Sequence, residues 1–329
     1  SRARRMVGVS LMLVVMANCL VALGQAMFGY SPLELSALES NGSTYVVGER
    51  MRLIGLQSSG QDLSAIVGAA FAWGLAQVGF HGFRAVPRYV TIAWLFAFAT
   101  SILVLQRSIL LGMTTSVLAV AAIHLLTATT ATQRINRLGR LLLLLALGGT
   151  ALAITGLLAP SQTSAAVSRA LSLFDLTNDS SWSTRQSTTM PISTSLIGAN
   201  PWGYGVGMTG SVAAQFGDLS PLSRHVYGGL WPDSGYFFVT LQVGLVGSLV
   251  WLAFLVAWAW RGSLIDPPVA LRWNATAVIA FLAGSMLTGS FWGLASTMTL
   301  VLMLTSVDFG TRPSCELKES PAKADGRTD

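Results

Sequence analysis

Long apolar runs, parted by short polar steps, set the pattern of this chain. A helix needs about 20 apolar residues to cross the hydrocarbon core of a bilayer. Eight runs meet or approach that length: Val7–Phe28, Leu63–Phe80, Tyr89–Leu105, Ile109–Thr127, Gly139–Ala159, Tyr236–Trp260, Trp273–Thr288 and Phe291–Val307. The third and fourth cannot be one helix. From Val90 to Leu126 such a helix would run roughly 55 Å, against a core of about 30 Å. The polar step Gln106-Arg107-Ser108 therefore has to be a tight turn near a membrane surface. Two longer stretches break the apolar pattern, about Gly29–Asp62 and Pro160–Pro232. The first is poor in periodic structure. The second carries an amphipathic stretch, Ala165–Leu176, with Val167, Leu171 and Phe174 at helical spacing, and a helical-looking segment, Thr184–Ile197. The expected fold is an all-α polytopic transmembrane bundle of about eight spans with a large external loop containing short helices. Its parts are a five-span bundle (1–159), the loop (160–235), a three-span bundle (236–310) and a disordered tail (311–329).

Composition agrees with that class. Of 329 residues, 52% are hydrophobic and 10% charged, with a mean hydropathy of +0.60. Soluble domains carry about 25% charged residues. Two cysteines and three scattered histidines give neither a disulfide framework nor metal-ligand spacing, so no metal or cofactor is expected. The net charge of +6 orients the chain rather than binding nucleic acid. With the N-terminus in the cytoplasm, 14 of the 20 Lys and Arg residues fall on cytoplasmic segments. An even span number returns the C-terminus to the same side. Both long polar stretches then face outward. The chain begins at Ser1 rather than methionine, as a C-terminal part of a longer protein with earlier helices would.

Orientation turns six arginines into exceptions: Arg50, Arg52, Arg107, Arg169, Arg185 and Arg224 lie outside, where basic residues are normally depleted. The guanidinium fork matches phosphate with paired, charge-assisted hydrogen bonds. Arg107, Arg185 and Arg52 are candidates for holding a lipid-linked pyrophosphate. The alternative is pairing with the loop acids Glu49, Asp175 and Asp179 or with headgroups. Pro201-Trp202-Gly203-Tyr204-Gly205-Val206-Gly207 alternates glycines, which permit close backbone approach to a ligand; the alternative is a simple turn. Asp233 stands where the chain re-enters the membrane. Partial desolvation would suit it to general-base work, and an N-cap role is the competing reading. His225 is the one external histidine and a second proton acceptor. Tyr236 and Trp202 are candidates for stacking on a sugar ring, although aromatic residues at a membrane interface need no function. No span carries an acid or base at its middle, which argues against an ion-coupled transporter.

Three features in this order resemble one known family. They are Arg107-Ser108 opening an apolar helix, Arg185 followed by a helical stretch and Asn200-Pro201-Trp202-Gly203-Tyr204-Gly205-Val206-Gly207, and Asp233-Ser234-Gly235-Tyr236 leading into Gly244-Leu245-Val246-Gly247. Arg52 with Gly55 resembles the loop that precedes them. The family is the O-antigen ligase and O-antigen polymerase family of bacterial membrane glycosyltransferases. The resemblance covers about Arg50 to Trp260. It implies an all-helical fold in the bacterial inner membrane, acting at the periplasmic face without metal or nucleotide sugar. Such enzymes pass a glycan from an undecaprenyl-pyrophosphate carrier to an acceptor glycan, alongside a flippase and a chain-length regulator. By position, Arg107 and Arg185 would bind the pyrophosphate, with Arg224 assisting. Ligases typically carry His where this chain has Asp233, so the resemblance favours polymerisation over ligation. The span count is below the family's usual one. A transporter or flippase of polar or lipid-linked solutes is the alternative class.

Overall fold

A helix that is apolar on every side has to be surrounded, and one helix of this protein is. The computed structural model describes residues 2–40, 46–47, 50–57, 59–82, 86–126, 130–174, 182–183, 185–206, 234–264 and 269–287. The first helices in chain order are α1 (Arg2–Phe28), α2 (Pro32–Ser40), α3 (Gly60–His81), α4 (Arg88–Leu103) and α5 (Arg107–Leu126). They are followed by α6 (Ala131–Leu158), α7 (Pro160–Leu171), α8 (Met190–Ala199), α9 (Gly235–Leu264) and α10 (Val269–Ser285). A two-residue antiparallel pair, Val46–Val47 with Arg50–Met51, is the exception to this helical character among the described residues. In α3, 94% of the apolar window is buried, against 22% in α6 and 17% in α9. So α3 is the axis of the bundle, with α1, α4, α5 and α10 packed around it. By contrast α6 presents Leu142, Leu143, Leu145, Ile154 and Leu157 outward, as a lipid-facing helix does.

Close helix approach comes from small residues, since lipid tails supply no hydrophobic drive for helices to associate. The Phe281 ring of α10 fills the space over Gly68 of α3 and Gly112 of α5, where an added Cβ would lie 2.2 and 2.6 Å from it. On the other side of α3, Gly74 makes room for Trp94, whose indole N–H donates to the Phe71 carbonyl at 3.1 Å. Polar side chains then lock the register. Gln77 donates to Asn274 at 2.8 Å within the core, and Thr115 and Ser116 of α5 donate to the Ala280 and Ala277 carbonyls of α10 at 2.7 and 2.9 Å.

Five helices are long and apolar enough to cross a membrane: Met6–Phe28, Gly60–His81, Arg107–Leu126, Arg134–Leu158 and Gly235–Trp258. Helices α4 and α10, at 16 and 17 residues, occupy two more expected spans but are shorter. The remaining expected span, Phe291–Val307, lies outside the described residues. The chain does turn between α4 and α5, through Val104, Leu105 and Gln106. Leu105, 2% exposed, takes φ +63°, a left-handed conformation that bulky residues avoid.

Three segments differ from the sequence reading. The stretch after α1, poor in periodic structure by sequence, holds the nine-residue helix α2, for which Ser31 and Glu34 form a capping box: each backbone N–H is accepted by the other's side chain, at 2.7 and 3.3 Å. The amphipathic helix begins earlier than Ala165, at Pro160, which fits the first helical position because that position needs no N–H. The Thr184–Ile197 segment is split into a π turn, Arg185–Thr189, and α8.

Candidate functional site: an arginine cluster at one end of the bundle

The turn at Leu105 delivers Arg107 as the first residue of α5. A helix N-terminus carries partial positive charge, so an arginine there is placed against the helix dipole. It is also buried, at 5% exposure. Its Nε and Nη2 donate to the Ser172 hydroxyl at 3.2 and 2.7 Å, and that hydroxyl donates to the Arg169 carbonyl at 2.7 Å. A hydroxyl has one donor and two acceptor positions, and all are used here.

Helix α7 lies across this turn. Gln162, at its start, donates to the Leu103 carbonyl at the end of α4, at 3.2 Å. Its last turn holds Arg169, half-buried beside Arg107. The Arg169 guanidinium is pushed down to about 10 by burial first, then by the charges of Arg107, Arg52 and Arg185. Four guanidinium groups from four separate segments therefore share one electrostatic neighbourhood.

Arg52 reaches it from the segment before α3. Its aliphatic part lies along the first turn of α3, 3.4 Å from the position a Cβ on Gly60 would take. Buried amides of α1 hold the segment in place. Gln25 accepts from the backbone of Ile54 and Gly55 at 3.2 and 3.0 Å, and Asn18 accepts from Leu56 at 3.2 Å. The Tyr30 hydroxyl donates to the Arg52 carbonyl. Arg185 opens the π turn, a rare geometry that concentrates at functional sites.

Arg52, Arg107 and Arg185 thus lie within electrostatic reach of Arg169, which the sequence had marked as an external arginine but not assigned to the site. Asp233, His225 and Arg224 lie outside the described residues. Their neighbour Ser234 donates to the Met286 carbonyl at 3.1 Å, and the Gly235 N–H to the same oxygen at 2.9 Å, so the entry of α9 is tied to the end of α10. Tyr236 gives its hydroxyl to the Ala283 carbonyl at 2.8 Å, which commits its polar end to joining α9 and α10. Trp202 is 77% exposed.

Of the alternating glycines, Gly203 packs closely against the chain's own backbone, and Gly207 lies outside the described residues. Helix α9 is broken at Gly244, whose φ of +74° and ψ of 178° are not helical. The break frees backbone groups, and the strap 200–205 takes them up. Tyr204 and Gly205 donate to the Leu241 and Gln242 carbonyls at 2.7 and 3.0 Å, and Leu245 donates to the Pro201 carbonyl at 2.8 Å.

Chemically, the cluster is suited to an anion carrying several phosphate oxygens. Among the described residues, no three His, Cys, Asp or Glu side chains converge as a metal site. At the same end, an apolar cavity of about 260 Å³ opens between α1, α4 and α6, lined by Leu23, Phe96, Leu103, Ile154, Leu158 and Ala159 among others. Leu103 is common to this cavity and to the α7 contact beside Arg107. No protein-family model, no curated protein and no solved structure matches this chain.

Proposed function

We propose that this protein is a membrane glycosyltransferase. It polymerises or ligates undecaprenyl-pyrophosphate-linked glycans at the periplasmic face of a bacterial inner membrane. The observation that carries the reading is the convergence of Arg52, Arg107, Arg169 and Arg185. A group of guanidiniums at one end of the bundle offers paired, charge-assisted hydrogen bonds to a multivalent anion such as pyrophosphate. The apolar cavity beside Leu103 supports a ligand whose other end is hydrocarbon.

In the proposed reaction the Asp233 carboxylate, or the His225 imidazole, takes the proton of an acceptor hydroxyl. The hydroxyl oxygen bonds to the anomeric carbon of the donor glycan. The bond from that carbon to the pyrophosphate oxygen breaks, and the lipid pyrophosphate leaves with the electron pair. Arg107 and Arg185 stabilise the charge that develops on it, an electrostatic role worth about 3 kcal/mol per well-placed donor. Trp202 and Tyr236 remain the candidate sugar contacts, Tyr236 through its ring.

The broken helix α9 favours a second reading, because transporters place substrates at discontinuous helices. Here the freed backbone groups at Gly244 are occupied by residues 201, 204 and 205, which supports the transferase. Alanine at Arg107 or Arg185 is expected to abolish long polymer on glycan gels while the protein stays in the membrane. Unchanged ladders would overturn the proposal.

A further inference from the structure

The backbone at Gly244 fills the side-chain space missing at Gly203, and the backbone of Pro201 and Trp202 fills the space missing at Gly244. A Cβ on Gly203 would lie 2.4 Å from the Gly244 nitrogen, and a Cβ on Gly244 would lie 2.4 Å from the Trp202 carbonyl carbon. Both have positive φ, +88° and +74°, so a substitution at either position meets backbone atoms and a disfavoured conformation together. The strap is braced internally as well. Asn200 Nδ2 donates to the Gly203 carbonyl at 2.8 Å, and the Tyr204 hydroxyl donates to the Leu196 carbonyl in the last turn of α8 at 3.0 Å.

Helix α8 and the π turn ahead of it run without interruption from Arg185 to Ala199. One end of this rod is fixed to the break in α9, and the other carries a guanidinium of the cluster. A rod of that length is roughly 20 Å, so a tilt of about 10° at the anchored end displaces Arg185 by about 3.5 Å. That displacement is enough to separate a guanidinium from a phosphate oxygen.

We infer that Gly203 and Gly244 are positioning residues: the strap seated in the α9 break holds α8 so that Arg185 stays within electrostatic reach of Arg107 and Arg169. The inference rests on the reading of the arginine cluster as a pyrophosphate site. It explains two departures from helical geometry, the Gly244 break and the Arg185 π turn, as the two ends of one strut.

The test uses the full chain in phosphatidylcholine nanodiscs, with Cys315 replaced by serine and spin labels at the exposed positions Gln186 and Leu118. Wild type is expected to give one narrow label-to-label distance. G203A and G244A should broaden and shift it, and should weaken binding of inorganic pyrophosphate by ten-fold or more. Y204F, which removes one brace without adding an atom, should broaden the distance less than the glycine variants do and weaken binding about three-fold. G198A is the control, because a Cβ there meets nothing within 4 Å. It should change neither readout. An unchanged distance in folded G203A or Y204F overturns the strut. A narrow wild-type distance that broadens as expected, in a protein that binds no pyrophosphate, leaves the strut standing and overturns the anion site instead.

Discussion

Arg107 is aimed by Ser172. The serine hydroxyl accepts from Nε and Nη2 of the guanidinium and is itself oriented by donating to the Arg169 carbonyl. This contact joins the first turn of α5 to the end of α7. Hydrogen bonds to a charged group are worth about 1.5–3 kcal/mol, and 1.4 kcal/mol is ten-fold in affinity. S172A is therefore expected to weaken pyrophosphate binding about ten-fold by isothermal titration, with little change in the amount of folded protein. Wild-type affinity in S172A would remove Ser172 from the site.

Arg169 is held where its charge is unfavourable. Its folded-state value of about 10 lies well below that of a free guanidinium, so the penalty applies throughout the pH range in which it is charged and is relieved as pH rises through about 10. R169Q should melt higher than wild type at neutral pH without ligand, and that advantage should shrink above about pH 10. Pyrophosphate should raise the wild-type melting temperature more than that of R169Q, and added salt should reduce the difference. A lower melting temperature for R169Q at neutral pH would mean that the arginine is structural.

The packing of Phe281 over Gly68 and Gly112 sets the stability of the core. F281A removes a ring from a site with 0% exposure and should cost about 3 kcal/mol or more, a fall on the order of 10 °C by scanning fluorimetry. G68A alone should also destabilise, since its methyl meets the ring. Combined with F281A, the same methyl enters the vacated space, so the double variant should be more stable than the sum of the single effects implies. Additive effects would contradict the contact.

Glu34 ties α2 to α1. Its carboxyl is held below the usual 4.5, first by the Gln25 side-chain amide and then by Ser31. A depressed carboxyl contributes stability that is present above the unfolded value and lost as pH falls through the folded one. The melting advantage of wild type over E34Q is thus expected to be constant above about pH 5 and to vanish in more acidic buffer. A difference independent of pH would contradict the role assigned to the carboxylate.

What the sequence revealed followed from local physics. The α4–α5 turn was legible because the 37 residues from Val90 to Leu126 outrun a bilayer and carry a polar step at Gln106-Arg107-Ser108, and the odd placement of Arg52, Arg107 and Arg185 was legible because orientation made them exceptions. The α2 capping box was present in Ser31 and Glu34, but it lay in a segment without apolar periodicity. Arg169 escaped assignment because its neighbours in the cluster are 62 and 16 residues away along the chain, and nothing local joins them. The strap escaped for the same reason. Gly203 and Gly244 signal backbone freedom one at a time, and only the folded chain shows that each is the other's close neighbour.

The most direct measurement reconstitutes the purified chain in nanodiscs with an undecaprenyl-pyrophosphate-linked repeat unit and follows the products by gel and mass spectrometry. Glycan chains longer than the donor are expected, with equivalent release of undecaprenyl pyrophosphate. Both should be lost in R107A and R185A. Donor that stays intact with the wild-type protein, while the same preparation moves labelled donor across proteoliposome bilayers, would contradict it and make the protein a transporter.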